Sequence, residues 1–368
     1  MSRLRGALAG NVDAPAVWLT ASFALVGLVI AAGVAASVGL ADVALPAGFV
    51  AAIAGVAGGL VPPGLTRQVT VPACVAVALA PALASAGEGR PVVAGLLSAV
   101  VIAVAALAQQ DVPTGMLVGA LGSTTYVLAV GLGLVRDVPL SHTLIAGGIG
   151  LVSAVVTTVA ARAVKQWQVR RGGGAAVGPG IPPLPGWFVS RLLSGIGAAL
   201  RDWRHNPYAR LALRRVVVLA PLVGVLEARR DPVALYALVV AFSITQPTTS
   251  DTLDRALART AGVIGAIGVT VVIGALAPDW VLVVFAVVAM VGGLAHVLRS
   301  PFLTSLGTTV LTIATGYLAG SSIPAVNRLI STVVGALIGL LATVIIPAPK
   351  PQEQSGSSTA ADRGTDTE

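Results

Sequence analysis

The chain has 368 residues, 56% of them hydrophobic and only 10% charged, with a mean hydropathy of +0.91. A soluble domain carries about 25% charged residues, so this composition excludes an ordinary water-soluble protein, whose surface would be one large apolar patch. The net charge of +8 does not point to nucleic acid, because the basic residues sit in short loops and one linker between apolar stretches, which is how membrane proteins set their topology.

A membrane-spanning helix needs ~20 apolar residues, somewhat fewer where its flanks snorkel. Six such stretches are predicted in the first half, at about 16–40, 46–62, 70–86, 91–108, 115–135 and 143–163. Arg3 and Arg5 precede the first, and no clear cleavage site follows it, so this span is expected to serve as its own insertion signal. Cys74, the single cysteine, lies in the third span and reads as a small buried hydrophobe. After the sixth span comes a Gly/Pro-rich linker, GGGAAVGPGIPPLPG. Residues 187–210 follow, with Trp187, Leu192, Leu193, Ile196 and Leu200 at roughly helical spacing and Arg191, Arg201 and Arg204 between them. This pattern predicts an amphipathic helix on the cytoplasmic leaflet, either a plain anchor or a regulatory element. Six more spans are predicted at about 211–227, 232–247, 257–277, 280–298, 302–320 and 328–347. The Ser/Thr/Asp-rich tail is expected to be disordered.

The chain therefore divides into a first six-helix unit (1–164), a cytoplasmic linker with the interfacial helix (165–210), a second six-helix unit (211–348) and a cytoplasmic tail (349–368). The spans are apolar all round and about twice the ~10 residues of a barrel strand. Helices also satisfy their backbone groups internally, as lipid demands. With twelve spans and an inner N-terminus, 18 of the 23 Lys and Arg residues fall on the cytoplasmic side. That bias places the protein in the inner (cytoplasmic) membrane as a multi-pass chain with both termini inside.

The two sets of six resemble each other. Pro46 and Pro232 open the second and eighth spans, and Pro63 and Pro247 close them. Arg67 and Arg255 follow, the fifth and eleventh spans are Thr-rich, and a Gly-rich span ends each half. An even number of spans gives both halves one orientation, so the expected fold is an all-α polytopic membrane protein of about twelve transmembrane helices built as two parallel six-helix repeats.

Few residues are equipped for chemistry. Asp251, Asp254, Arg255 and Arg259 stand at the cytoplasmic mouth of the ninth span. The four-residue spacings Asp251–Arg255 and Arg255–Arg259 put each pair on one helix face. They read either as a cationic entry site for organic anions or as an ordinary helix start with topology-fixing arginines. Thr124, Thr125 and Tyr126 in the fifth span, and Thr308, Thr309, Thr312, Thr315 and Tyr317 in the eleventh, place hydroxyls inside the membrane. These either line a pathway or bond back to their own helix. Gly262, Gly265 and Gly268 make a small-residue stripe suited to close helix packing. Gln109, Gln110 and Asp111 read as a loop, His296 and Arg299 as interfacial, and Asn327 and Arg328 as an anchor at the outer end of the last span. The sequence has no phosphate-binding loop, zinc-protease motif, calcium loop or nucleophile elbow. No catalytic residue, metal or cofactor is expected, and the chain is not read as an enzyme.

Three stretches carry a family resemblance: HNPYARLALRRVVVLAPLVGV, QPTTSDTLDRALARTAGVIGAIG and NRLISTVVGALIGLLATVIIP. Across about 205–348 the chain resembles the fusaric-acid-resistance-like family of bacterial inner-membrane proteins, which includes aromatic-acid exporter-like members. Many of those carry Gly-Thr where this chain has Ala261-Gly262-Val263. The resemblance implies a secondary exporter of small organic, aromatic acids, with the lipid bilayer and an organic anion as partners and no nucleic acid. A passive anion channel of the same architecture and a non-transporting scaffold are the alternatives, and homo-oligomerisation is left open.

Overall fold

The structure, a computed structural model, describes residues 14–60, 69–110, 114–131, 135, 137–171, 188–229, 232–295, 300–318 and 323–347. Pro63, Arg67, Asp111, the 172–186 linker, Trp187, His296, Arg299 and the 348–368 tail lie outside them. The described residues form thirteen α-helices and one short 3-10 turn, with no strand. The first six helices are α1 (Ala14–Ser37), α2 (Ala44–Leu60), α3 (Val71–Gly87), α4 (Pro91–Ala108), α5 (Thr114–Gly131) and α6 (Leu140–Arg171). Then come α7 (Phe188–Arg201), α8 (Pro207–Arg229), α9 (Pro232–Ile244) and α10 (Thr249–Leu276). The last are α11 (Asp279–Ala295), α12 (Pro301–Leu318) and α13 (Ile323–Ile345).

Local chemistry sets several boundaries. Pro91, Pro207, Pro232 and Pro301 each open a helix, where the missing N–H costs nothing and the fixed φ helps. Gly39, at φ +83, ends α1, and the Leu40 N–H reaches back to the Ala35 carbonyl. Asn206 caps α8, its Oδ1 accepting from the Tyr208 and Ala209 N–H groups. The Thr248 hydroxyl accepts from the Asp251 N–H, so α10 begins at Thr249, one polar stretch earlier than the apolar run at 257 predicts. Helix α6 runs on to Arg171, past the 164 boundary predicted for the first unit.

By length and composition, five helices can cross a membrane: Trp18–Ser37, Pro91–Ala108, Leu140–Val164, Thr249–Leu276 and Ala325–Ile345. Shorter apolar helices pack beside them. The outside of the assembly is itself apolar, with Val92, Val152, Leu276 and Val344 standing exposed. Such a surface suits hydrocarbon rather than water. The fold is that of an all-α, multi-pass membrane protein.

Small residues set the packing. In the seam between α4 and α8, a Cβ on Gly95 would lie 3.2 Å from the Ala220 carbonyl, and one on Gly224 would lie 3.1 Å from that of Pro91. The same seam carries a core of Ile102, Tyr126, Leu219, Val223 and Leu238 from α4, α5, α8 and α9. Two other contacts match in detail. A Cβ on Gly150 of α6 would lie 2.6 Å from the Ala47 carbonyl and 2.7 Å from Val50 Cβ, both on α2. A Cβ on Gly335 of α13 would lie 2.6 Å from the Ala237 carbonyl and 2.7 Å from Val240 Cβ, both on α9. Gly119 of α5 presses on the Ala105 carbonyl of α4, as Gly307 of α12 does on the Ala289 carbonyl of α11.

Helix α7 buries Ala199 and partly buries Ile196 against Ala106, Leu107, Leu211 and Ala212. Its other face leaves Val189, Leu193 and Leu200 exposed, with Trp203 just beyond. Gln110 ties this corner to α4 by accepting from Asn206 Nδ2 at 3.2 Å, so it is a tether rather than a plain loop residue. At the opposite end of the bundle, His142 Nδ1 and Asp42 Oδ2 lie 2.8 Å apart and join the start of α6 to the turn after α1. The hydrogen bond from His142 holds the Asp42 carboxyl below its usual range. Its contribution to stability is present above that range and is lost as pH falls through the lowered value. Cys74 is buried, its thiol directed at the Ala54 carbonyl 3.8 Å away.

Candidate functional site

An arginine within an apolar bundle must find a partner or a reason, because burying an unpaired charge is costly. Helices α8, α10 and α13 each bring arginines inward, and they serve two different purposes.

Arg210 and Arg214 are structural. Arg214 is fully buried. Its Nε donates to the Ile346 carbonyl at 2.5 Å, and its Nη1 donates to the Gln246 and Pro247 carbonyls at 2.8 and 2.9 Å. Arg210 Nη1 donates to the Pro347 carbonyl at 2.6 Å. These carbonyls close α9 and α13, where helix ends present unpaired acceptors and a negative dipole end. The two arginines supply what those ends lack.

Arg215, Arg255, Arg259 and Arg328 are not satisfied in this way. Arg215 is 4% exposed; its Nη2 donates to the Thr245 carbonyl at 2.9 Å and its guanidinium lies 4.5 Å from the Phe242 ring centroid. Its Nε and Nη1 are buried without a hydrogen-bond partner. Arg328 is 8% exposed, with Nε 3.5 Å from Thr309 Oγ1 and its guanidinium 5.0 Å from the Tyr236 ring centroid. Arg259 is half-buried, in electrostatic reach of both Arg255 and Arg328, and Arg215 is in reach of Arg255. The four guanidiniums thus form a string from α8 across α10 to α13. Asp251, exposed one turn from Arg255, offsets part of it. Among the described residues, no carboxylate lies within ion-pair distance of these four.

The string runs into the bundle. At 1.5 Å per residue, Arg255 and Arg259 lie about 9 and 15 Å along α10 from its first residue. Arg255 is exposed at the mouth and Arg259 lies a turn deeper. Arg328 enters from the opposite end of the bundle, five residues into α13. Its burial overrides the anchor reading: an anchoring arginine snorkels outward, whereas this one turns in to Tyr236 and Thr309.

The remaining predicted residues distribute as follows. Asp251 and Asp254 are exposed at the start of α10. Thr309 joins the string through Arg328. Thr125 and Thr308 bond back to the carbonyls of Leu121 and Thr304, each at four-residue spacing. Thr124 is half-buried beside them. The buried Tyr126 hydroxyl shares a 2.8 Å hydrogen bond with Ser98 across α5 and α4. The Tyr317 hydroxyl donates to the Gly274 carbonyl at 2.7 Å on α10. Of the glycine stripe, only Gly262 is tightly packed, a Cβ there lying 2.5 Å from the Phe302 carbonyl of α12. Gly265 reaches ordinary contact with Leu306, and a Cβ on Gly268 meets nothing within 4 Å. Three glycines at three-residue spacing drift around a helix of 3.6 residues per turn, so α12 meets one edge of the stripe.

Sequence reasoning did not single out Arg215, Arg328, Tyr236 or Phe242 for function. Arg215 falls near the start of the stretch predicted as a span at 211–227, where a basic residue reads as a topology determinant; the structure instead buries it beside Phe242. No group of three metal-ligating side chains occurs among the described residues. No curated protein and no solved structure matches the chain. Residues 216–342 do match a family profile described as fusaric acid resistance protein-like. That segment runs from α8 into α13 and holds Arg255, Arg259 and Arg328 with the rings of Tyr236 and Phe242. Through this segment the chain is similar to the fusaric acid resistance protein-like family.

Proposed function

We propose that this chain is a secondary transporter that exports small organic anions, aromatic acids among them, across the cytoplasmic membrane. The observation that carries this reading is the string of Arg215, Arg255, Arg259 and Arg328, which no carboxylate neutralises among the described residues. A bilayer protein retains such charge where an anion is to be held or passed. Tyr236 and Phe242 add aromatic faces beside the guanidiniums, suited to an organic rather than an inorganic anion. Translocation, not covalent chemistry, is the activity.

The architecture proposed for this task is twelve spans, with α7 lying on the inner leaflet and both termini inside. Helices α1–α6 and α8–α13 are two parallel repeats. The matched contacts of Gly150 and Gly335 support the duplication, since each glycine meets an Ala carbonyl and a Val one turn on in the second helix of its own set. Cysteine labelling tests the topology, because the one native thiol is buried. With a membrane-impermeant maleimide, Val38→Cys, beyond α1, is expected to label in intact cells, and Leu193→Cys, on α7, only after permeabilisation. The reverse pattern would invert the orientation.

One observation favours the channel reading: the arginine string includes no carboxylate or histidine able to carry a coupling proton. Proteoliposomes decide between the two. A transporter is expected to accumulate benzoate against its gradient when an ion gradient is imposed. A channel lets benzoate run only down its own gradient. If no benzoate, salicylate or other small organic anion moves under either condition, both readings fail.

A further inference from the structure

The arginine string has two buried poles rather than one. The first is Arg215, which uses a single N–H on the Thr245 carbonyl and leaves Nε and Nη1 buried without partners. The second is Arg328 with Arg259, where the only hydrogen-bond approach among the described residues is that of Arg328 Nε to Thr309 Oγ1 at 3.5 Å. Each pole has its own ring on α9, Phe242 at the first and Tyr236 at the second. Six residues separate those rings, about 9 Å along the helix and roughly 120° around it.

A single carboxylate can take two parallel hydrogen bonds from one guanidinium. Bound at either pole, it leaves the other as an unpaired buried charge. A compact dianion such as phosphate has the charge but not the reach. The arrangement fits two anionic groups held apart by an apolar or aromatic spacer, one group at each pole. We infer that the ligand for which this site is built carries two anionic groups at opposite ends of an organic spacer. This inference rests on the proposed organic-anion function and narrows it from organic anions in general to dianions.

The test compares three probes on the purified full-length protein in detergent at fixed ionic strength: benzoate, terephthalate and inorganic phosphate. Binding is read by calorimetry and by the shift in melting temperature. Terephthalate is expected to bind at least roughly tenfold more tightly than benzoate, the least that a second buried charge contact contributes. Arg328→Gln and Arg215→Gln are each expected to bring terephthalate to the benzoate level, while Arg204→Gln, on the exposed α7–α8 corner, leaves the ratio unchanged. Should either Gln variant fail to fold, Arg215→Lys keeps the charge but loses the planar fork, and a reduced terephthalate-to-benzoate ratio is the expected readout. Benzoate binding as tightly as terephthalate overturns the two-pole inference and leaves the organic-anion function standing. Phosphate binding more tightly than terephthalate overturns it in favour of a compact-anion site. If none of the three binds, both the inference and the proposed function fail.

Discussion

Arg259→Gln is expected to lower organic-anion flux in proteoliposomes by about a hundredfold, close to 2.7 kcal/mol at 1.36 kcal/mol per tenfold. The same substitution is expected to raise the melting temperature of the ligand-free protein. The two effects have one cause. Arg259 sits between Arg255 and Arg328 with no carboxylate at ion-pair distance among the described residues. Removing it relieves repulsion and the cost of desolvating a cation, and it also removes the charge that meets the anion. A structural arginine behaves in the opposite way. Arg214→Gln removes donors from the carbonyls of Ile346, Gln246 and Pro247, so it lowers the melting temperature. Arg259→Lys keeps the charge without the planar fork and should recover only part of the flux. The measurements are initial rates at low substrate concentration and thermal melting in detergent. An Arg259→Gln variant that transports normally, or melts well below the native protein, sinks the site assignment.

The second large effect concerns stability. Gly335→Val and Gly150→Val are each expected to destabilise the fold by about 3 kcal/mol, the upper part of the range for overpacking. The new Cβ would lie 2.6 Å from a backbone carbonyl in both cases, and backbone, unlike the end of a flexible side chain, does not give way. Melting in detergent should show a fall on the order of 5 °C or more. Gly268→Ala is the contrasting case. A Cβ there meets nothing within 4 Å, so only helix propensity acts, and that favours Ala over Gly by about 1 kcal/mol. An equal loss at all three positions would overturn close packing against a backbone carbonyl as the cause at Gly150 and Gly335.

Much of the fold was legible because lipid imposes a simple rule. An apolar run of sufficient length becomes a helix, and every span predicted from hydropathy has a helix at its place. Hydropathy fails where a helix keeps going through polar sequence. Helix α10 starts eight residues before its apolar run because Thr248 caps it, and α6 continues through charged residues to Arg171. The site was half legible. Arg255 and Arg259 declare themselves by four-residue spacing on one helix. Arg215 and Arg328 do not, because a basic residue near a span end reads the same whether it snorkels or turns inward. Which of these occurs depends on α9, whose Phe242 and Tyr236 receive the two guanidiniums. That pairing is tertiary and leaves no periodic trace in the chain. The threonines left two readings open, a pathway or bonds back to their own helix, and Thr125 and Thr308 make the latter.

The hydrogen bonds of Arg214 have a mechanical consequence. One buried guanidinium grips the Ile346 carbonyl just past α13 and the Gln246 and Pro247 carbonyls just beyond α9, while belonging to α8 itself. At this end the three helices cannot spread without stranding a cation and three acceptors together. They form a pivot, so any rearrangement that exposes Arg328 to the far side of the bilayer has to swing the opposite ends of these helices about this fixed point.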